Sequence, residues 1–258
     1  MTHVLDDVLV LARRSIVRTV RQPANVVFPL VFPLLLLAVN AGGLKAATRL
    51  PGFPTTSFVA FALAIPFIQG ALFATMNAGT DLARDIQTGF LNRLALTPMR
   101  GIALLAGQLG GIVVMGLVQA IVYLAVGLAV GVRLETGFAG ALVLLAFSVL
   151  ISIGFGALGA FAALRTGSGE AVQSLFPAFF VFLFISSMNL PRNLIETDWF
   201  RDVATLNPVS YLIECIRSLI IVGWDAQALA LGFGIAGAIA VASLTLATRA
   251  LKGRLARS

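Results

Sequence analysis

The chain has 258 residues, of which 59% are hydrophobic and only 11% charged, and its formal net charge is +7. Soluble domains carry about 25% charged residues, so this composition excludes an ordinary soluble protein and predicts one embedded in a membrane. The single cysteine, Cys215, excludes an intramolecular disulfide, and the sequence has no Cys/His cluster with the spacing of a metal site.

Six long uncharged stretches predict six membrane-spanning helices. Each reaches the roughly 20 residues that a helix needs to cross a bilayer, and none shows the alternation of a transmembrane barrel strand. The predicted fold class is therefore an all-α integral membrane protein with one transmembrane domain over residues 1–258. The spans are expected at about 24–44, 56–80, 102–132, 137–164, 171–190 and 226–248.

Six spans place the N- and C-termini on the same side of the membrane. Most arginines and lysines flank the spans on that side, which predicts that it is cytoplasmic. The positive charge then reflects topology and contact with membrane lipids, so it gives no case for binding nucleic acid. No cleaved signal peptide is expected, because the first apolar run is too long and acidic residues precede it.

Residues 1–22 predict an interfacial helix ahead of the first span, ended by Pro23. The same segment would also serve as a simple positive anchor on the cytoplasmic side, and the two interpretations are compatible. Its apolar face carries Leu5, Val8, Leu9, Ala12, Ile16 and Val20, and its polar face carries Asp7, Arg14, Arg18 and Arg21.

The connections between spans bear on the source of energy. Only the inner segment 81–100 and the outer segment 191–225 are longer than turns, so function outside the bilayer is expected there.

The spans lack the ionisable residues of ion-coupled pumps, and there is no G-x-x-x-x-G-K-[ST] phosphate loop. We therefore expect no ATPase site in this chain and an energy source in another polypeptide.

An amphipathic helix is predicted over residues 81–97, directly after the second span. Leu82, Ile86, Phe90 and Leu94 recur every four positions, Gly89 interrupts the helix, and Pro98 ends it. An isolated helix of this kind is more often a solvated surface element than a docking site. Its polar face, expected to point toward the cytoplasm and a soluble partner, carries Asp81, Arg84, Asp85, Thr88, Asn92 and Arg93.

This segment resembles the permeases of the ABC type-2 exporter family, in particular the daunorubicin-resistance-type drug exporters. Gln108 stands where that family has a lysine, and Ala83 stands where it has an acidic residue. The matching residues are Arg84, Gly89, Leu91, Arg93, Leu94, Thr97, Pro98, Arg100 and Gly107. A second match, LNPVSYLIECIRSLIIVG over residues 206–223, supplies Asn207, Pro208, Glu214, Arg217 and Gly223.

The resemblance implies that 81–97 is a coupling helix that binds a separate ATP-binding subunit, which would hold ATP and Mg, while this chain binds no cofactor. It also implies a dimer with a second copy or a related permease, and short re-entrant helices in segment 191–225. The coupling residues would be Arg84, Asp85, Thr88, Gly89, Asn92, Arg93, Thr97 and Pro98. An extracellular gate would consist of Asn207, Pro208, Glu214 and Arg217, although Glu214 and Arg217 could also simply pair with each other.

Polar and aromatic stripes predict a substrate pathway. The resemblance implies that spans two and five line a cavity between two permease subunits, and aromatic faces suit bulky apolar or amphipathic molecules. Ordinary helix packing is the alternative for any single residue, and Pro66 predicts a kink in span two. The stripe residues are Gln69, Phe73 and Asn77 in span two, and Gln173, Phe176, Phe180, Phe184 and Ser187 in span five.

Small residues at four-residue spacing predict close contacts between helices, at Gly107–Gly111, Gly127–Gly131 and Gly232–Ala236–Ala240. The apolar spans predict a multi-pass protein of a bacterial plasma membrane, and the resemblance implies a permease that exports hydrophobic or amphipathic drugs or antibiotics. A lipid or glycolipid exporter of the same family is the alternative, followed by an energy-independent carrier or channel. A membrane enzyme is disfavoured, because no carboxylate pair, histidine-containing triad or metal cluster supplies catalytic residues.

Overall fold

The computed structural model describes residues 10–18, 21–95 and 101–255, and the regular structure in these ranges is entirely helical. Within these described residues, five helices are long and apolar enough to cross a membrane, namely α2, α3, α5, α6 and α10 as defined below. The elements in chain order are α1 (10–18), α2 (Pro23–Gly43), α3 (Phe58–Gln87), α4 (Phe90–Ala95), α5 (Gly101–Ala129), α6 (Gly137–Thr166), α7 (Gly169–Phe184), α8 (Asp198–Leu206), α9 (Pro208–Arg217) and α10 (Ala226–Leu255).

The predicted fifth span is shorter than expected. In place of a span over 171–190, the structure has α7, which ends at Phe184 and falls short of the roughly 20 residues that a crossing needs. Ser174 separates α7 into two parts, three residues before Pro177, because proline lacks the N–H that would continue the helical hydrogen bonds. A similar interruption occurs where a kink is predicted near Pro66: the regular helix of α3 is interrupted at Leu63, three residues before that proline.

Helices α8 and α9 form a bent pair of 81°, and α9 continues into a π-helical turn over Ser218–Val222. Asn207 stands at the bend, where its side-chain oxygen accepts a hydrogen bond from the N–H of Val209 and Pro208 takes the first helical position. The pair has the length and composition of a broken span or a re-entrant loop, and the predicted re-entrant helices remain a prediction.

Helix α3 lies at the centre of the bundle, with 94% of its most apolar window buried. It meets α6 where Gly159 faces the carbonyl oxygen of Thr75 so closely that a methyl group at position 159 would overlap it. Glycine permits this approach because it has no Cβ. Two of the predicted small-residue contacts are confirmed in the same way: Gly107 packs on Leu11, and Gly232 packs on Cys215.

The third predicted contact is only half correct. Gly127 of α5 packs against Leu63 of α3, but Gly131 has open space around its Cα and a φ of +92°. That left-handed conformation follows the end of α5, where glycine is favoured because a Cβ would be strained. Gly131 therefore forms a turn and makes no helix contact.

Two prolines inside α2 each leave a backbone carbonyl without its usual partner, because a proline cannot donate to the residue four positions earlier. Pro29 frees the carbonyl of Asn25, and the Asn77 side-chain amide donates to it at 3.3 Å. Pro33 frees the carbonyl of Pro29, and the Tyr123 hydroxyl donates to it. Helix α2 is therefore fastened to α3 and α5 by side chains that complete its backbone.

Tyr123→Phe is expected to lower the free energy of unfolding by about 1–3 kcal/mol, because it leaves a buried carbonyl unsatisfied. The unfolding midpoint of the purified protein in mild detergent measures this. Tyr211→Phe is the matched control, since it removes a hydroxyl that also donates to a carbonyl, that of Thr205, but at an exposed position. Equal midpoints for the two variants would contradict the role given to Tyr123.

Candidate functional site

The segment after the second span lies at the end of the bundle that the sequence predicts to face the cytoplasm, called the inner end here. Its first two turns belong to α3, which continues to Gln87. Gly89 then breaks the helix with a φ of +69°, a left-handed conformation that favours glycine, and α4 follows directly. The predicted interruption at Gly89 is confirmed. Within described residues 81–95, the predicted bent helix consists of the end of α3, a break and a short second helix.

Among the side chains of α4 that the structure describes, Leu91 is the one buried in the bundle. Leu91 is buried in a cluster with residues of α3, α5, α6, α7 and α10, including Leu82, Leu164 and Leu251. This set is called the inner apolar cluster. Thr97, Pro98 and the side chain of Asn92 lie outside the described residues, so their predicted coupling roles stay predictions.

Asp85 does not face the cytoplasm as expected. Its side chain is only 7% exposed and receives two hydrogen bonds from Arg14, at 3.0 and 3.1 Å, and one from Arg18 at 2.9 Å. A carboxylate bound by two guanidinium groups is already neutralised and is not available to a soluble partner. The expectation of exposure at Asp85 is therefore wrong, because the polar face of α1 covers it.

Helix α1 is held against two other helices. The Arg18 guanidinium also pairs with Asp81 of α3, with its Nε 3.2 Å from the carboxylate. On the other side, Leu11, Ala12 and Ser15 lie against three glycines of α5 with no room for a Cβ on any of them. These glycines are Gly107, Gly110 and Gly111. The described part of the predicted interfacial helix, residues 10–18, thus packs at a defined position against α3 and α5.

The side chains left exposed beside the break are basic or neutral. Arg84, Thr88 and Arg93 are exposed, and the Arg93 guanidinium donates to the carbonyl of Thr88 at 3.2 Å. Because Arg18 and Arg14 bind Asp81 and Asp85, the exposed charges of described residues 81–95 are those of Arg84 and Arg93. The surface offered to a partner here is therefore positive.

The predicted pathway stripe of α3 is covered within this chain. In the single chain Gln69 and Phe73 are only 2% and 3% exposed, and rings of α2 and α7 lie against Phe73. The place of these residues on a substrate pathway stays a prediction. Asn77 is half-buried and completes the backbone of α2, as described above, and the Gln69 side-chain oxygen is buried without a hydrogen-bond partner.

A continuous row of phenylalanine rings runs outward from Phe73. Its ring centroid lies 5.3 Å from that of Phe176, which is 4.7 Å from Phe180, and Phe180 is 5.8 Å from Phe184. On the other side, Phe73 meets Phe28 at 5.5 Å and Phe32 at 6.1 Å. We call these six residues the aromatic row.

The two ends of the aromatic row are open to the surroundings of the single chain. Phe28 of α2 is 55% exposed and Phe184 of α7 is 53% exposed. The sequence pattern predicts Phe176, Phe180 and Phe184 but not Phe28 and Phe32, although the four-residue spacing of those two places them on one face of α2. Gln173 is exposed near the start of α7, whereas Ser187 is fully buried beyond its end and has no part in the row.

Arg217 joins three elements at the opposite end of the bundle, called the outer end. Its side chain is buried, its Nε donates to the carbonyl of Phe61 at 3.1 Å, and its terminal nitrogens donate to the carbonyls of Ser187 and Met188. The guanidinium carbon also lies 3.5 Å from the centre of the Phe61 ring. Arg217 thus connects α3, the segment after α7, and α9.

The proposed pairing of Glu214 with Arg217 does not occur. Glu214 forms an ion pair with Arg192 at 2.5 Å, while Arg217 binds backbone carbonyls. Burial opposes the charged form of Arg192, but Glu214 and Tyr211 more than offset it and the pKa of Arg192 is raised. Asn207 donates to the carbonyl of Phe182 at 2.6 Å, so it also ties the bend between α8 and α9 to α7.

An outer cleft of about 340 Å³ opens beside these charges. Its volume is in the lower range for small-molecule sites. The described residues contain no group of three or more His, Cys, Asp or Glu that could hold a metal ion. The cleft is lined in part by Phe61, Arg192, Glu214, Arg217 and Asp225.

Known proteins share this sequence over most of its length. The chain is 29% identical over 200 residues to the daunorubicin resistance ABC transporter permease protein DrrB1 of Streptomyces coeruleorubidus, a match that covers 75% of this chain and 66%, just under two thirds, of that relative. It is 26% identical over 218 residues to the candidate transport permeases ycf38 of Cyanophora paradoxa and Porphyra purpurea, covering 83% of this chain and 74% of each relative.

The family described as ABC-2 type transporter matches residues 6–221, which include α1, the break at Gly89, the aromatic row and Arg217. This range covers most of the chain, and the five long apolar helices agree with a membrane protein of that kind. The chain belongs to the ABC-2 type transporter family and is a multi-pass protein of the cell membrane.

Proposed function

We propose that this chain is the permease subunit of an ATP-driven exporter that moves hydrophobic or amphipathic molecules out of the cell. The observation that carries the proposal is the Gly89 break, which places a short helix, α4, at the inner end of the most buried helix of the bundle. A relative of the chain is named for daunorubicin resistance, which supports a drug as cargo.

Coupling would work through the direct continuity of α4 and α3. A separate ATP-binding subunit that moves α4 would also move the end of α3, because only Thr88 and Gly89 separate the two helices. ATP binding and hydrolysis in that subunit would then change the relative stability of two states of the permease. Arg84 and Arg93 give the docking surface a positive charge, so the partner should present an acidic groove.

The aromatic row would form the wall of the substrate pathway. Its exposed ends lie on α2 and α7, and a second permease copy facing them would enclose a space lined by rings. Aromatic faces provide a large contact area for bulky apolar molecules without requiring one shape. The pathway would therefore be built from α2 and α7, with Phe73 of α3 supporting the rings from behind.

The test is purification of the tagged permease from native membranes, followed by reconstitution of the complex into liposomes. We expect a soluble ATPase subunit to co-purify at about one per permease, and daunorubicin to accumulate with ATP but not with a non-hydrolysable analogue. Transport of a fluorescent phospholipid in place of daunorubicin would assign the complex to lipid export. A permease that purifies alone and moves daunorubicin without ATP would overturn the proposal in favour of a carrier.

Gly89→Ala should abolish coupled transport even though it adds only one methyl group. A left-handed backbone conformation costs a residue with a Cβ roughly 1–2 kcal/mol, and the break would relax toward a different angle. Gly131→Ala is the matched control. Gly131 also has a positive φ and open space around it, but it lies in the turn between α5 and α6, far from the Gly89 break. Both variants should unfold at similar midpoints, while only Gly89→Ala loses daunorubicin transport. Equal loss in both would indicate a general stability effect and contradict the coupling role.

A further inference from the structure

Arg14 bridges the two sides of the Gly89 break. Two of its nitrogens bind the Asp85 carboxylate of α3, at 3.0 and 3.1 Å. Its guanidinium carbon also lies 3.8 Å from the centre of the Phe90 ring, the first residue of α4. A planar guanidinium can bind a carboxylate through its edge and stack on a ring through its face at once, which an ammonium group cannot do.

The position of Arg14 is fixed by the rest of α1. Arg18 lies one turn later on the same face and binds both Asp81 and Asp85. The adjoining face of α1, with Leu11 and Ser15, lies in close contact with α5 at Gly107 and Gly111. Two arginines thus meet two carboxylates in a partly buried and electrically balanced cluster, which shields the pairs from solvent and salt.

The Gly89 break by itself does not fix the angle between α3 and α4. Among the described side chains of α4, Leu91 lies in the inner apolar cluster and Arg93 donates to the carbonyl of Thr88 across the break. The Arg14–Phe90 contact adds a separate attachment, to α1. Together these contacts hold α4 in position and limit its rotation about its axis.

We propose that Arg14 and Arg18 are positioning residues for α4, so that α1 sets the orientation in which the permease presents this helix to its partner. The proposal rests on the proposed function in one respect only, which is that the orientation of α4 serves the binding of an ATPase subunit. The ion pairs and the ring contact already define the geometry within this chain, so the geometry can be tested without a partner.

The first experiment measures the attachment of α4 directly. Leu91→Cys introduces a buried thiol, and the native Cys215 is itself fully buried, so labelling by a membrane-impermeant maleimide reports release of α4. Arg14→Met should raise the labelling rate about tenfold, because removing the Arg14 contacts lowers the free energy of local opening and α4 is released more often. Arg13→Met is the matched control, because it removes the same charge from an exposed neighbouring position. Equal rates in the two backgrounds would overturn the proposal.

The second experiment measures the consequence, as ATP hydrolysis by the complex relative to the free ATPase subunit. Arg14→Met should reduce this stimulation about tenfold while the subunit still co-purifies. Adding Phe90→Leu to Arg14→Met should change the stimulation little further, because the two substitutions remove the same Arg14–Phe90 contact. Arg14→Lys should restore charge but not full stimulation. If wild type fails to bind an ATPase subunit, the proposed function fails. If wild type is stimulated and Arg14→Met is equally stimulated, the positioning role alone fails.

Discussion

Replacing Arg217 with methionine is expected to lower the free energy of unfolding by about 3 kcal/mol or more, since a buried carbonyl that loses its donor costs about 1–3 kcal/mol. Three carbonyls depend on this side chain, and those of Ser187 and Met188 lie beyond the end of α7, where no helical N–H replaces the lost donor. Methionine fills similar space, so the loss reflects hydrogen bonds more than a cavity.

The unfolding midpoint of the purified permease in mild detergent measures this effect. Arg133→Met is the control, because Arg133 is an exposed residue in the turn between α5 and α6, and surface changes usually stay within about 0.5 kcal/mol. Arg217→Lys should recover only part of the loss, since one ammonium group cannot reach three carbonyls in two separate segments. A midpoint for Arg217→Met equal to that of Arg133→Met would show that the hydrogen bonds contribute nothing net.

Gly159→Ala is the second substitution with a large expected effect. A methyl group at position 159 would overlap the backbone carbonyl of Thr75, which cannot rotate away as a flexible side chain could. Overpacking commonly costs about 1–3 kcal/mol, and we expect the upper end or beyond because α3 and α6 must separate along their contact. The same separation would disturb Gly79, which lies against the carbonyl of Gly159.

Gly237→Ala provides the matched control for Gly159→Ala. Gly237 also lies inside a long apolar helix, α10, but has no neighbour within 4 Å of a Cβ built there. Replacing it should be neutral or stabilising by up to about 1 kcal/mol, because alanine is the better helix former. Folding yield and unfolding midpoint should therefore both fall for Gly159→Ala, and both should stay unchanged or rise for Gly237→Ala. A Gly159→Ala protein as stable as wild type would refute the close contact between α3 and α6.

Features determined by neighbouring residues were predictable from the sequence. The interruption at Gly89 follows from a glycine within an amphipathic pattern, and the contact of Gly107 follows from small-residue spacing. The exposure predicted for Asp85 was wrong because its partners, Arg14 and Arg18, lie 71 and 67 positions away. A polar face in one helix does not reveal that a second helix covers it.

The outer end shows the same limit. Glu214 and Arg217 are three positions apart, which allows a pair on one helix, but three-dimensional proximity gave each a different partner. Composition alone also made 171–190 look long enough to span, whereas the carbonyls of Ser187 and Met188 leave the helix and bind Arg217. Sequence patterns report which residues can form a helix, but they do not show that a distant side chain such as Arg217 binds the carbonyls beyond its end.

The two proline-freed carbonyls of α2 have a consequence for biogenesis. Their donors, Asn77 and Tyr123, lie 52 and 94 residues further along the chain and emerge from the ribosome later. Until then the first span must enter the bilayer with two open backbone acceptors, which lipid cannot satisfy. The first span to be synthesised is therefore among the last to be completed. In a nascent chain stalled before Tyr123, the open carbonyl of Pro29 should be hydrogen-bonded by the insertion machinery or by water.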